Sequence, residues 1–215
     1  MLEGIIFDLD GVLVSTDEYH YKAWKKIADD NGWIFNRKIN ERLRGVSRMD
    51  SLEIILKENN VSLSEEEKER LASQKNEIYR ESLKNLNSDS VDKDIVPMLK
   101  DLHENGLKLA VGSSSKNTKF ILERIGLTPY FDAVADGNVI THSKPNPEVF
   151  LKAAEMIGLK PAVCAIVEDA EAGIDAGKNG GFLTFGIQGA SEYKRTDVPV
   201  TDISDLWKKI KERRR

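Results

Sequence analysis

Two rhythms of apolar and polar positions divide the chain. A short apolar run, Gly4-Ile5-Ile6-Phe7, has the length of a buried strand and delivers the polar stretch Asp8-Leu9-Asp10-Gly11. From about Asp17 to Asn31, Ala23, Trp24, Ile27 and Ala28 recur at the spacing of one helical face, with Asp17 placed to start it. Leu52, Ile55 and Leu56 form a second stripe; Leu71, Ile78, Tyr79, Leu83 and Leu86 form a third, after a Ser64-Glu65-Glu66-Glu67 start that resembles a capping box. Residues 15–87 are therefore expected to be helical, and the polar stretch Asn87-Ser88-Asp89-Ser90 to be a linker.

Beyond the linker helices and strands are predicted to alternate. Helices from Ile95 to Asn105, Asn117 to Ile125 and Pro147 to Ile157 each end at a glycine, and the runs Leu107 to Gly112, Phe131 to Ala135, Ala162 to Val167 and Phe182 to Phe185 read as strands. A further helix is expected from Ala170 to Lys178, and a last one around Leu206, Trp207 and Ile210, whose solvated face carries the basic end. Apolar strands alternating with helices imply a parallel sheet covered on both faces. The expected fold is α/β: a Rossmann-like parallel-sheet core made of residues 1–14 and 88–215, with a helical cap, 15–87, inserted after the first strand.

In such sheets ligands sit outside the carboxyl ends of the strands, where polar clusters recur in this chain. Asp8 and Asp10 end the first strand, Ser113 to Ser115 follow the second, Lys144 lies in the loop beyond the third, and Glu168-Asp169 end the fourth. Each alone has an ordinary reading as a helix cap, a turn or a surface charge; four on the same side of one sheet point to a site. Two residues apart on a strand, about 6.6 Å, Asp8 and Asp10 leave room for one metal ion, or for one to attack while the other handles a proton. Mg²⁺ favours such carboxylate oxygens and bridges to phosphate, and an Asp carboxylate can attack phosphorus to give an aspartyl phosphate. Lys144 and the Ser113 hydroxyl would then neutralise the phosphoryl oxygens, with Asp10 handling the proton.

Composition narrows the partners. With 32 Lys and Arg against 36 Asp and Glu the net charge is -4, so no basic field exists to hold a nucleic acid. No apolar run reaches the ~18 residues that span a bilayer, and no basic and apolar leader precedes the first strand, so no membrane partner and no export are expected. The single cysteine, Cys164, lies in an apolar run, as a small core residue in a reducing cytoplasm would. A chain of 215 residues is long enough for one large domain with an insertion.

Taken together, Phe7 to Leu13, Gly112 to Asn117, Ser143 to Pro147 and Val167 to Gly173 resemble the four motifs of the haloacid dehalogenase superfamily of phosphatases and phosphomutases, a match that spans Leu2 to about Gly186. Glu18-Tyr19-His20, Trp24, Leu43 to Arg48, Asp50-Ser51-Leu52, Lys75-Asn76 and Ser115-Lys116-Asn117 closely resemble its β-phosphoglucomutase family, cap included. The resemblance implies that Asp8 is the nucleophile, Asp10 the general acid and base, and that Mg²⁺ is held by Asp8, the Asp10 carbonyl and Asp169, with Glu168 nearby. Ser113 and Lys144 would hold the transferring phosphoryl group; Arg48, Ser115, Lys116 and Asn117 would hold the other phosphate. Gly45, Val46, Ser47 and Ser51 would line the sugar site, with Trp24 and Lys75 among the substrate-binding residues. His20 would orient Asp10 as the cap closes, and Thr16 lies in the expected hinge. Three positions depart from the common pattern: Ser15 stands where Asp is frequent, Ser114 where Ala is, and Arg44 where Lys is.

The resemblance implies a mutase that moves phosphate between the 1 and 6 positions of β-glucose with glucose 1,6-bisphosphate as primer and intermediate. The alternative is a phosphatase for small sugar phosphates built on the same site, since gating by the cap decides whether water or a sugar hydroxyl attacks. A signalling receiver phosphorylated on Asp is disfavoured by the helical insertion after the first strand. A monomer with no macromolecular partner is expected. His103 and His142 have no motif context and read as structural.

Overall fold

The computed structural model describes residues 1–214. Its strands are β1 (Gly4–Phe7), β2 (Lys108–Gly112), β3 (Ala133–Ala135), β4 (Cys164–Glu168), β5 (Leu183–Gly186) and β6 (Val198–Pro199), paired in parallel in the order β3-β2-β1-β4-β5-β6. Between β1 and the rest of the sheet come α1 (Asp17–Asp30), α2 (Arg37–Glu41), α3 (Arg48–Glu58) and α4 (Glu65–Leu83). The sheet is flanked by α5 (Ile95–Glu104), α6 (Thr118–Arg124), α7 (Glu148–Met156), α8 (Glu171–Asn179) and α9 (Ile203–Arg214). β1 lies in the middle, Phe7 facing Val111 on one side and Val167 on the other. Side chains alternate between faces along a strand, so a central strand covered twice must be apolar throughout. Phe7, Val111 and Val167 meet Leu99, Ile121 and Leu206 on one face, while Ile6, Ala110 and Ile166 meet Phe150, Ala153 and Ala176 on the other.

The chain leaves β1 for β2 and β3 on one side and returns to β4 on the other, which opens a crevice at the carboxyl end of β1. The cap closes over that crevice with its own core of Trp24, Ile27, Leu52, Leu56 and Leu71. This is the α/β fold with a cap that the sequence implied. No described helix is long and apolar enough to cross a membrane.

Several boundaries differ from expectation, each for a local reason. β1 stops at Phe7, so Asp8 and Asp10 lie in the turn beyond the strand and not along it. The Asp8 amide still donates to Val167 O at 2.9 Å, but Gly11, at φ +83°, bends the chain back so that the amides of Leu13 and Val14 reach Leu9 O. β3 is shortened to Ala133–Ala135 by a 3-10 turn at Thr128–Tyr130 that carries Pro129, and β4 starts only at Cys164, after a like turn at Pro161–Val163. The short α2, capped by Asn36, the 3-10 turn at Gln188–Glu192 and the two-residue β6 follow no periodic apolar signal.

Candidate active site

Between the carboxyl edge of the sheet and the cap lies a cavity of ≈ 1270 Å³. Asp8, Asp10, Ser113, Lys144 and Asp169 line it from the core, as do Ser115, Lys116 and Asn117; His20, Trp24, Gly45, Val46, Ser47, Arg48, Ser51 and Lys75 line it from the cap. Of the residues expected at the site, only Thr16 and Glu168 stand behind its wall.

The core end is built around Lys144, whose side chain is fully buried and whose Nζ donates to Asp8 Oδ1 at 2.6 Å and to Glu168 Oε1. The other Glu168 oxygen accepts from the amides of Asp169 and Ala170, both at 3.1 Å. Burial works against the Lys144 charge, but Asp8 and Glu168 outweigh it and hold the ammonium well above the ordinary lysine range. One cation faces three carboxylates. Burial, then the neighbouring Glu168 and Asp8, pushes the Asp169 carboxyl well above its usual range, the condition of a site short of positive charge. Oxygens of Asp8, Glu168 and Asp169 all lie within 4.8 Å of one another, a hard-oxygen set that fits Mg²⁺. Two glycines permit this crowding: a Cβ at Gly11 would collide with the Asp169 carboxylate, and one at Gly173 with the Glu168 carboxylate.

Asp10 faces away from that cluster. Its Oδ1 accepts from Thr16 Oγ1, which in turn accepts from the buried Tyr79 hydroxyl at 3.1 Å. The His20 ring lies 4.0 Å from that of Tyr79, and Lys75 Nζ lies 2.7 Å from His20 Nδ1. Burial and then Asp8 raise the Asp10 carboxyl to about 8, while burial and then Arg48 lower the Lys75 ammonium to about 7. The same burial, with Lys75 beside it, lowers the His20 imidazole well below its usual range. Sequence reading treated Tyr79 only as part of an apolar stripe; its place one turn after Lys75 on α4 was the available signal.

At the cap end Ser47 caps α3, accepting from the Asp50 amide at 3.2 Å, and this sets Arg48 in the first turn, facing the cavity. Ser51 is buried and donates to Ser47 O at 2.8 Å. Among the described residues neither Arg48 nor Lys75 has a carboxylate partner. The serine loop of the core is held by the Ser113 amide on Ala135 O and by Asn117, whose Nδ2 donates to Asn76 Oδ1 at 2.9 Å. Arg44 does not point a free charge at the site: it pairs with Asp17 at 3.1 Å, which also accepts from Asn40. His103 pairs with Asp132 outside the cavity, whereas His142, which sequence alone marked as structural, pairs with Glu148 and lines the cavity beside Ser143 and Lys144.

Comparison with known proteins agrees with this geometry. Residues 2–181 match the model of the haloacid dehalogenase-like hydrolases. A β-phosphoglucomutase of Bacillus subtilis is 38% identical over 207 residues, 95% of this chain and 92% of that one. A fructose-1-phosphate phosphatase of Escherichia coli, YqaB, is 32% identical over 83% of this chain and 92% of its own. The crystal structure of a β-phosphoglucomutase from Clostridium difficile superposes with a TM-score of 0.94 at 37% identity, covering 99% of this chain and 96% of that one. The chain therefore belongs to the haloacid dehalogenase-like hydrolase family, and within it closely resembles the β-phosphoglucomutases.

Proposed function

We propose that the protein is a Mg²⁺-dependent phosphomutase that interconverts β-glucose 1-phosphate and glucose 6-phosphate, acting as a monomer in the cytoplasm on small sugar phosphates. The observation that carries this reading is the cap end of the cavity, where Arg48 and Lys75 have no carboxylate partners among the described residues. A mutase must hold a second phosphate while the first is transferred; hydrolysis of a single ester has no such need. Asp8, the Asp10 carbonyl and Asp169, with Glu168 nearby, would hold Mg²⁺, which when bound offsets charge on the phosphoryl oxygens.

The chain's own groups then divide the work. An Asp8 oxygen attacks phosphorus, the bond from phosphorus to the sugar oxygen breaks, and Asp10 gives its proton to that oxygen. In the return step Asp10 takes the proton of the acceptor hydroxyl as it attacks the phosphorus on Asp8. Lys144 and Ser113 orient the phosphoryl group, and Arg48, Ser115, Lys116 and Asn117 grip the opposite phosphate. Glucose 1,6-bisphosphate is the intermediate that turns end over end between the two halves of the cycle. The cap, residues 15–87, supplies the sugar contacts at Gly45, Val46, Ser47, Ser51 and Trp24.

A phosphatase reading draws on the Escherichia coli relative, because the core groups serve either acceptor. Phosphorus NMR separates the two. With Mg²⁺, β-glucose 1-phosphate and a trace of glucose 1,6-bisphosphate, the expected product is glucose 6-phosphate, with the α-anomer inert. Free phosphate as the main product, with glucose 6-phosphate near background, would replace the mutase by the phosphatase.

A further inference from the structure

Apart from the Thr16–Asp10 contact at the hinge, three side-chain hydrogen bonds cross from cap to core around the rim of the cavity. Ser143 Oγ donates to Asp50 Oδ2, Ser114 Oγ to Gly45 O at 3.2 Å, and Asn117 Nδ2 to Asn76 Oδ1 at 2.9 Å. The first differs from the others in kind, since its acceptor is charged, and hydrogen bonds to ionised groups are roughly twice as strong as neutral ones. Asp50 is also the residue whose amide Ser47 caps, and Ser47 Oγ donates back to Asp50 Oδ2 at 2.7 Å. The Asp50 carboxylate is thus held in place at the positive end of α3 before any contact with the core is made. Its partner Ser143 immediately precedes Lys144, the buried cation of the core end.

We propose that Asp50 and Ser143 form a latch that holds the cap loop carrying Arg48 against the core loop carrying Lys144, and so act as positioning residues for the site. The preorganised carboxylate makes closing favourable at little entropic cost, because only the Ser143 hydroxyl has to be ordered. Ser114 adds a second bond from the core, to the cap backbone at Gly45. The binding-competent state is the closed one, so apparent affinity for any ester that reaches the cap scales with the closed fraction. The latch concerns closure alone, and holds for a mutase or a phosphatase acting through this site.

The test uses Ser143→Ala, Asp50→Ala and the double variant of the full chain, without ligand. Hydrogen exchange followed by mass spectrometry should show amides of residues 45–51 and 113–117 exchanging about fivefold faster in each single variant, the size expected from losing one such bond. The double variant should add nothing further, because both changes remove the same interaction. Melting temperatures of wild type and Ser143→Ala should agree, which separates a latch from general loosening. With β-glucose 1-phosphate, Ser143→Ala should raise KM by a similar factor and leave kcat unchanged. Unchanged exchange in the two loops, or strictly additive effects in the double variant, would overturn the latch. Absence of turnover with that sugar would count against the mutase reading only, since the exchange result is read without substrate.

Discussion

The two ends of the cavity solve opposite electrostatic problems. At the core end three carboxylates share one ammonium, and the excess negative charge raises the Asp169 carboxyl above its usual range. At the cap end Arg48 and Lys75 make no ion pair with a carboxylate among the described residues, and burial pushes the Lys75 ammonium down to about 7. One end lacks a cation and the other lacks an anion. A doubly charged metal at the first and a dianionic phosphate at the second relieve both, and neither alone relieves the molecule as a whole.

The sharpest way to break this contrast is at the nucleophile. Asp8→Asn should lower turnover by several orders of magnitude while the fold persists, and mass spectrometry after acetyl phosphate treatment should show no phosphorylated protein. Turnover above about a tenth of wild type, a loss under 1.4 kcal/mol, would exclude attack by Asp8. Gly173→Ala attacks the same end from behind. The new Cβ displaces the Glu168 carboxylate, so the Mg²⁺ concentration giving half-maximal activity should rise roughly ten- to a hundredfold, measured by Mg²⁺ titration.

Arg48→Ala should spare the core end and damage the other. The rate with glucose 1,6-bisphosphate should fall at least thirtyfold, about 2 kcal/mol, while phosphorylation of Asp8 by acetyl phosphate changes little. Equal losses with both donors would remove Arg48 from the distal phosphate site.

Lys75 gives the smallest and most informative effects. Its ammonium is at about 7 in the free protein, against 10.5 for an exposed lysine, so the unfolded chain binds more protons between those values and stability rises with pH across that window. Lys75→Met should therefore raise the melting temperature at pH 7, by about 4 °C or more at 2–4 °C per kcal/mol, and flatten this rise. For the wild type, KM for β-glucose 1-phosphate should increase as pH climbs from 7 to 9, because a neutral amine no longer attracts phosphate. A KM that is flat with pH, or that falls, would separate Lys75 from the substrate.

How much of this was legible in the sequence depended on how far each signal extends along the chain. β1, with its apolar run and the carboxylates at its end, was readable because one short stretch contains strand, turn and chemistry. The 3-10 turns that shorten β3 and β4 were not, since the residues concerned are compatible with extended backbone until the neighbouring helices fix the connection. Lys75 could be placed at the site only through resemblance, because a lysine on an amphipathic helix reads as solvent-facing. Tyr79 and the Asp50–Ser143 contact depend on parts of the chain 63 and 93 residues apart meeting in space. No periodicity records such meetings. Gly173 fell within the expected helix Ala170 to Lys178 and closed the fourth motif, but its reason appears only when Glu168 is seen against its backbone.

The hydrogen-bond line from Tyr79 through Thr16 to Asp10 gives the molecule the logic of an AND gate. Tyr79 belongs to the same helix as Lys75, so under the proposed function the element that would meet the sugar phosphate would also steady the proton-handling carboxylate. Acid–base chemistry would then be switched on by the same event that fills the far end of the cavity. Small activated donors such as acetyl phosphate, whose leaving group asks for little proton help, would pass through with one input; an unactivated sugar ester would need both. Such an asymmetry would let a mutase be primed by almost any reactive phosphate and yet choose carefully where the phosphate finally goes.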